Sequence, residues 1–362
     1  MSALAIVRGQ RRAYRADGAA ILSALFVLLL VMIVLAIGSG ATWMGPGRVI
    51  GVLLKAIGLP LGAVEARDSA VVLGIRLPRV ALGMLVGAGL AISGTLMQGL
   101  FRNPLADPGL IGVSSGAALG ASAAIVWGIG LASAIGLGAA LMPWLTPFAA
   151  FAGGLLATIL IHRMARREGE TEIATMLLAG VAVSAICFAG IGYLSFLSDD
   201  RQLRDITFWT LGSLGGASWR SVLAMALFLL PALLAAPLLA RTLNALILGE
   251  REAGHLGVHV ERDKKLAIGV SALAVGASVA ASGVIGFVGL IVPHLVRLLA
   301  GADNRIVLLG AALLGAALML AADLVARTIV APAELPIGVV MSALGGPFFL
   351  WLLRRKRALT PP

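Results

Sequence analysis

Apolar residues in this chain come in blocks of membrane length, separated by short polar stretches in which Arg and Lys predominate. The blocks fall at 19–41, 74–100, 109–131, 144–164, 173–196, 218–241, 265–285, 287–300, 305–329 and 337–353. About 20 apolar residues wound as an α-helix cross a hydrocarbon layer of roughly 30 Å, so ten blocks predict ten spans. The run over 279–300 is broken by Gly283, Gly286, Gly289 and Pro293, which predicts a turn followed by a short helix. The expected architecture is an all-α polytopic membrane protein. It divides into a basic N-terminal segment (1–18), one transmembrane domain (19–353) carrying a polar interruption at 241–265, and a basic tail (354–362).

Composition agrees, with 60% hydrophobic and 12% charged residues, too few charges for a water-facing surface. The formal net charge of +11 is read as topology. With both ends in the cytoplasm, the basic clusters at 8–15, 162–167, 262–265 and 354–357 all face inward, as the positive-inside rule expects. That reading excludes nucleic acid as the partner behind the charge. The first apolar block is long enough to stay in the membrane and is read as a span, not as a cleaved signal. The single Cys187 lies in an apolar stretch, which excludes an internal disulfide or a cysteine metal site and leaves a small packing residue.

The 46 glycines cluster inside the apolar blocks. Gly83/Gly87, Gly112/Gly116 and Gly116/Gly120 have the four-residue spacing that lets membrane helices approach closely. There is no GxxxxGK[ST] loop, and the GAG at 87–89 lacks a dinucleotide fingerprint's spacing. Energy must therefore come from elsewhere. No nucleophile, base and orienting group assemble into a catalytic site, and no resident cofactor or metal is expected. The polar interruption RTLNALILGEREAGHLGVHVERDKK keeps apolar residues among both charge signs, the pattern of short amphipathic helices set against a partner or docked on their own bundle. In the tether RNPLADP at 102–108, Pro104 and Pro108 stop helix continuation and Asp107 is placed to cap the next helix.

Several stretches in a fixed order carry a family resemblance. They are RLPR (76–79), QGLFRNPLADPGLIGVSSG (98–116), FWTLGSLGGASW (208–219), LGEREAGHLGV (248–258), GFVGLIVPHLVRL (286–298), AADLVAR (321–327) and ELPIGVVMSALGGPFFLWLL (334–353). With them the chain resembles the permease subunit of a type II ABC importer of the iron-siderophore, haem and cobalamin uptake family. The resemblance implies ten spans per subunit in the bacterial inner membrane, a homodimer with its pathway on the two-fold axis, two separate ATPase subunits and a periplasmic binding protein. It also implies roles. Arg76, Arg79 and Arg327 would receive acidic residues of the binding protein, the bland alternative being arginines that anchor helix ends. Glu250, Arg251, Glu252, Gly254 and Gly257 would form the coupling segment against the ATPase. Tyr193, Ser195 and Phe196 would line the pathway, unless they serve only packing.

The cargo is less determined. Ser198 to Trp219 most resembles the haem branch, with Arg201 and Arg204 placed to attract propionates or, alternatively, balancing Asp199, Asp200 and Asp205 in a solvated loop. Haem is the leading expectation, then a ferric siderophore, then cobalamin. His162, His255, His259 and His294 all fall toward the cytoplasmic side and form no relay from outside. A secondary transporter driven by an ion gradient would carry ionisable groups in mid-membrane. Here the fifth block has none, and Asp323 and Arg327 sit toward one end of the ninth.

Overall fold

The computed structural model describes residues 3–40, 43–59, 65–134, 136, 138, 140–167 and 170–357, with side-chain surroundings given for 18–352 and 354 outside the same gaps and residue 167. Its helices are α1 (Ala3–Gly38), α2 (Pro46–Ala56), α3 (Ala66–Val71), α4 (Leu77–Leu100), α5 (Val113–Ala134), α6 (Met142–Met164), α7 (Ile173–Leu197), α8 (Asp200–Leu211), α9 (Trp219–Ala235), α10 (Ala240–Leu246), α11 (Glu250–His255), α12 (Val260–Ser282), α13 (Val288–Ala300), α14 (Asn304–Thr328) and α15 (Ile337–Arg357). A π turn, Val72–Arg76, joins α3 to α4, so that Ala66–Leu100 is one rod.

Among the described residues eight rods have the length and apolar character of a span, and Val288–Ala300 and Ile337–Leu352 are shorter apolar helices. Together they match the ten blocks of the sequence. The 13 residues of α13 rise only about 20 Å, too little to cross alone. The preceding segment 283–287 is not helical and completes the crossing inside protein, where irregular backbone at membrane depth is tolerated. Gly283 (φ 70°) ends α12, and Phe287, with the unusual φ of 68°, starts α13.

The rod ending in α4 is the axis of the bundle, packed between α14 on one side and α12, α13 and α9 on the other. Small residues permit this. A side chain at Gly87 would strike the backbone oxygen of Gly315 on α14, and one at Gly116 the oxygen of Gly153 on α6. Without a hydrophobic force between helices in lipid, such close backbone approach supplies the packing energy. Gly112 has a second duty, taking φ 75° to turn the chain from the tether into α5. By contrast α7 stays at the periphery, exposing Leu178, Val181, Ile186, Phe188, Tyr193 and Phe196.

Two helices were not foreseen. Residues 46–56, outside every predicted span, form α2, which buries Val49, Gly51 and Val52 against the α1 and α4 side of the bundle. Part of the stretch read as a loop at 198–219 is α8, stabilised by a capping box in which Asp199 and Gln202 satisfy each other's backbone N–H.

Candidate functional site

The polar groups of the bundle collect at its two ends. At one end, the π turn, α4, α14 and the C-terminus of α1 gather Arg76, Arg79 and Arg327, the last two of them on Asp323. Arg79 donates Nε (3.0 Å) and Nη2 (2.9 Å) to Asp323 Oδ1, and its Nη1 and Nη2 each donate to Glu334 at 2.9 Å. Arg327 Nε reaches Asp323 Oδ2 at 3.0 Å, four residues back on the same helix, while Nη1 and Nη2 donate to the carbonyls of Ser39 and Ala36. Arg76 Nη1 donates to the carbonyls of Ile37 and Gly38 at 2.7 and 2.8 Å, capping the last turn of α1.

Exposure separates the members of this cluster. The Asp323 side chain is 2% exposed, Arg327 7%, Arg79 11% and Glu334 45%. All three predicted arginines are thus brought together, but they are turned inward and already hold internal partners. Glu334 is the carboxylate that reaches the surface. The Arg79 guanidinium holds its carboxyl below the usual carboxylate range, against an opposing push from burial. Asp323, placed by the sequence beside Arg327 toward one end of the ninth block, proves to be the carboxylate that Arg79 and Arg327 share.

The other end carries the tether. Asp107 Oδ1 accepts from Gly109 N at 2.7 Å, and the helix it caps begins as a 3-10 turn, Pro108–Ile111. Beside it, α10 and α11 form the two short helices expected in the polar interruption, hinged at Gly249 (φ 123°) and Gly257 (φ 79°). Ala253 is buried, fixing α11 to the bundle, whereas Arg251, Glu252, Gly254 and Gly257 are exposed. Glu250 is held inward by Lys264 Nζ at 2.6 Å, and Lys264 also donates to Glu261 at 2.9 Å. Glu261 in turn accepts from the backbone and hydroxyl of Thr171. Arg102, 170–173, Glu250 and Lys264 line an open groove of about 530 Å³, so tether and predicted coupling segment share one surface. Lys264, buried at the end of α12, was missed because a lysine in a basic cluster resembles its solvated neighbours.

Tyr193 and Phe196 lie exposed near the end of α7 that adjoins α8, Phe196 at 84%, with Ser195 half-buried between them. Arg201 and Arg204 are exposed on α8 and, among the described residues, make no ion pair with Asp199, Asp200 or Asp205. His162, His255 and His259 lie at the tether end, and His294 packs edge-on to Phe348, with ring centroids 6.2 Å apart. Among the described residues no group of three or more His, Cys, Asp or Glu is arranged to hold a metal ion.

The bundle of apolar helices is matched over most of its length by known proteins. The sequence profile of the FecCD transport family aligns with residues 28–355. The chain belongs to the FecCD transport family. It is 47% identical over 285 residues to the hemin transport system permease protein HmuU of Yersinia pestis, covering 79% of this chain and 83% of the relative. It is also 41% identical over 337 residues to the vitamin B12 import system permease protein BtuC of Citrobacter koseri, covering 93% and 94% of the two chains. A solved structure described as an inward-facing metal-chelate type ABC transporter superposes with a TM-score of 0.80 at 32% identity, over 93% of this chain and 99% of that one. FecCD family members are multi-pass permease components of bacterial ABC importers, which work with separate ATPase and binding-protein partners, and this chain is such a permease. Its fold is that of the type II permeases.

Proposed function

We propose that this FecCD permease works as a homodimer that takes haem from a periplasmic binding protein at the arginine end and releases it at the tether end by alternating access. The observation that carries the orientation is charge. The tether end holds the exposed Arg163, Arg166, Arg262, Lys265 and Arg354, which the positive-inside rule places in the cytoplasm. Both ends of the chain then lie inside, and α11 faces the ATPase.

At the periplasmic face, Arg76, Arg79 and Arg327 form a positively charged base under Glu334. Arg79 and Arg327 pair there with Asp323 and Glu334, and Arg76 lies within electrostatic reach of Asp68. The guanidiniums held behind Glu334 would favour acidic groups on an arriving binding protein and steer its encounter. On the cytoplasmic face, the open surface around Gly254 and Gly257 is where the ATPase would approach, with Glu250, Arg251 and Glu252 at the margin. The chain itself hydrolyses nothing, keeps no cofactor and draws on ATP bound by its partners.

Haem is favoured over a ferric siderophore or cobalamin because Arg201 and Arg204 are exposed on α8 and, among the described residues, in no ion pair, and so can attract two propionates. The apolar Tyr193 and Phe196 nearby suit a flat hydrophobic ring system. The higher identity to a hemin permease than to a vitamin B12 permease supports the same reading. Reconstitution with the cognate ATPase and binding protein in liposomes, offering haem, a ferric siderophore and cobalamin separately, tests it. Haem should accumulate and stimulate hydrolysis; stimulation by cobalamin or the siderophore alone overturns the cargo assignment.

A further inference from the structure

A chain of polar side chains at the tether end joins four helices, α4, α10, α13 and α14. Gln98, on the last turn of α4 and four residues before the tether's Arg102, donates Nε2 to the carbonyls of Gly289 and Leu290 at 3.2 and 3.1 Å. Its Oε1 accepts from Arg297 Nη1 on the last turn of α13. Arg297 Nη2 reaches Asn304 Oδ1 at 3.4 Å, at the start of α14. Asn304 donates both its backbone N and Nδ2 to Asn244 Oδ1 at 2.9 Å, and Asn244 Nδ2 donates to Asp303 at 2.8 Å. Asn244 belongs to α10, the helix that leads into α11 through Gly249. The path therefore runs from the coupling segment to the short helix α13 and on to α4.

The chemistry of the link sets it apart from the opposite end. Arg79 and Arg327 are each fixed by a carboxylate. Arg297 is half-buried, yet among the described residues its partners are neutral amide oxygens and no carboxylate pairs with it. A guanidinium held only by neutral acceptors gains less than an ion pair for its loss of water, so separating it from Gln98 and Asn304 costs correspondingly less. It also sits at the foot of α13, which the non-helical segment 283–287 leaves unanchored to α12 by any continuous helix.

We propose that the Arg297 contacts to Gln98 and Asn304 are a reversible latch that holds α13 to α4 and α14 and is released in each cycle by movement of α10 and α11, so that the ATPase controls when α13 and α4 move. The inference rests on the importer reading above. Arg297 acts here as a positioning residue, touching neither cargo nor nucleotide.

Two substitutions of opposite sense in the reconstituted complex test the latch. Arg297→Met removes it: cargo moved per ATP should fall by about tenfold, within the range usual for coupling between sites, while hydrolysis without binding protein persists. Asn304→Asp strengthens the Arg297 contact by giving it a carboxylate, at a helix N-terminus where negative charge is favoured, and gives up the Nδ2 bond to Asn244 while keeping the backbone one. That variant should raise the thermal midpoint of the complex and slow both transport and stimulated hydrolysis. A raised midpoint with wild-type transport means the contact stays closed throughout the cycle and overturns the latch. So does an Arg297→Met complex with unaltered cargo per ATP. Should Arg297→Met fail to assemble, Asn304→Asp decides alone, and should Asn304→Asp not raise the midpoint, Arg297→Met decides. If the wild-type complex moves no cargo, the importer reading fails, and that is seen before any variant is compared.

Discussion

Asp323 should be the most costly single side chain at the arginine end. It is 2% exposed and accepts N–H groups from Arg79 at 2.9 and 3.0 Å and from Arg327 at 3.0 Å. Asp323→Asn keeps the size but removes the charge and turns an amide NH₂ toward one guanidinium. Arg327 then has only backbone carbonyls, those of Ser39, Ala36 and, at 3.4 Å, residue 323 itself, and Arg79 keeps Glu334 as its one carboxylate. Breaking a buried pair from one side costs about 3–5 kcal/mol, because the abandoned charge stays desolvated. Glu334→Gln at the same cluster should cost about 0–1 kcal/mol, since that side chain is 45% exposed and water replaces it. The solitary thiol of Cys187 is buried and provides the assay. A fluorogenic maleimide added during a thermal ramp in detergent reports the midpoint at which α7 separates from α5. The expected result is a shift several times larger for Asp323→Asn than for Glu334→Gln. Equal shifts would mean the cluster is hydrated enough that burial does not set its energetics, and the argument from exposure would fail.

The same assay should show an acid limb. Arg79 depresses the Glu334 pKa in the folded state, so its contribution is complete above the usual carboxylate pKa of about 4.3 and is lost as pH falls through the lower, folded value. Glu334→Gln should flatten that limb and lower the midpoint near pH 7 by the same small amount; an unaltered limb would assign it to other carboxylates. Gly87→Ala places a methyl group against the Gly315 carbonyl and should destabilise by about 1–3 kcal/mol, whereas Gly130→Ala on α5, with open space around it, should be neutral. Similar midpoints for the two would count against close α4 and α14 packing as a source of stability. Gly254→Leu projects into open space on α11 and should leave the thermal midpoint in place while weakening co-purification of the ATPase. Unchanged co-purification would remove Gly254 from the ATPase-facing surface.

What the sequence made legible here follows from which interactions are local. Ten spans, the break over 283–287 and the cap at Asp107 could be read because each depends on residues within one or two turns of each other. Apolar block length, Gly and Pro positions and a capping carboxylate carry that information directly. The helix α8 was obscured by its own composition: DRQLRDITFWTL is polar enough to pass for a loop, and the decisive capping box is a pair of ordinary residues, Asp199 and Gln202. The functional arrangement was legible only in part, for a different reason. Arg76, Arg79 and Arg327 were identified as a group, but not that two of them converge on Asp323, since the partners are separated by up to 244 residues. Nor does sequence distinguish Lys264, 3% exposed between two glutamates, from its neighbour Lys265, which faces solvent. Both misses have one physical origin. In a chain this apolar, a charged residue's role depends on whether the fold supplies a counter-charge before water can reach it, and that is settled by tertiary contacts alone. The consequence for function is that the arginine end meets an arriving partner through Glu334 and the guanidiniums held behind it more than through three free guanidiniums. Charge reversal at Arg79 would then disturb both the fold of the cluster and any docking. Glu334→Gln separates the two effects, because it leaves Asp323 paired and changes only the charge presented outward.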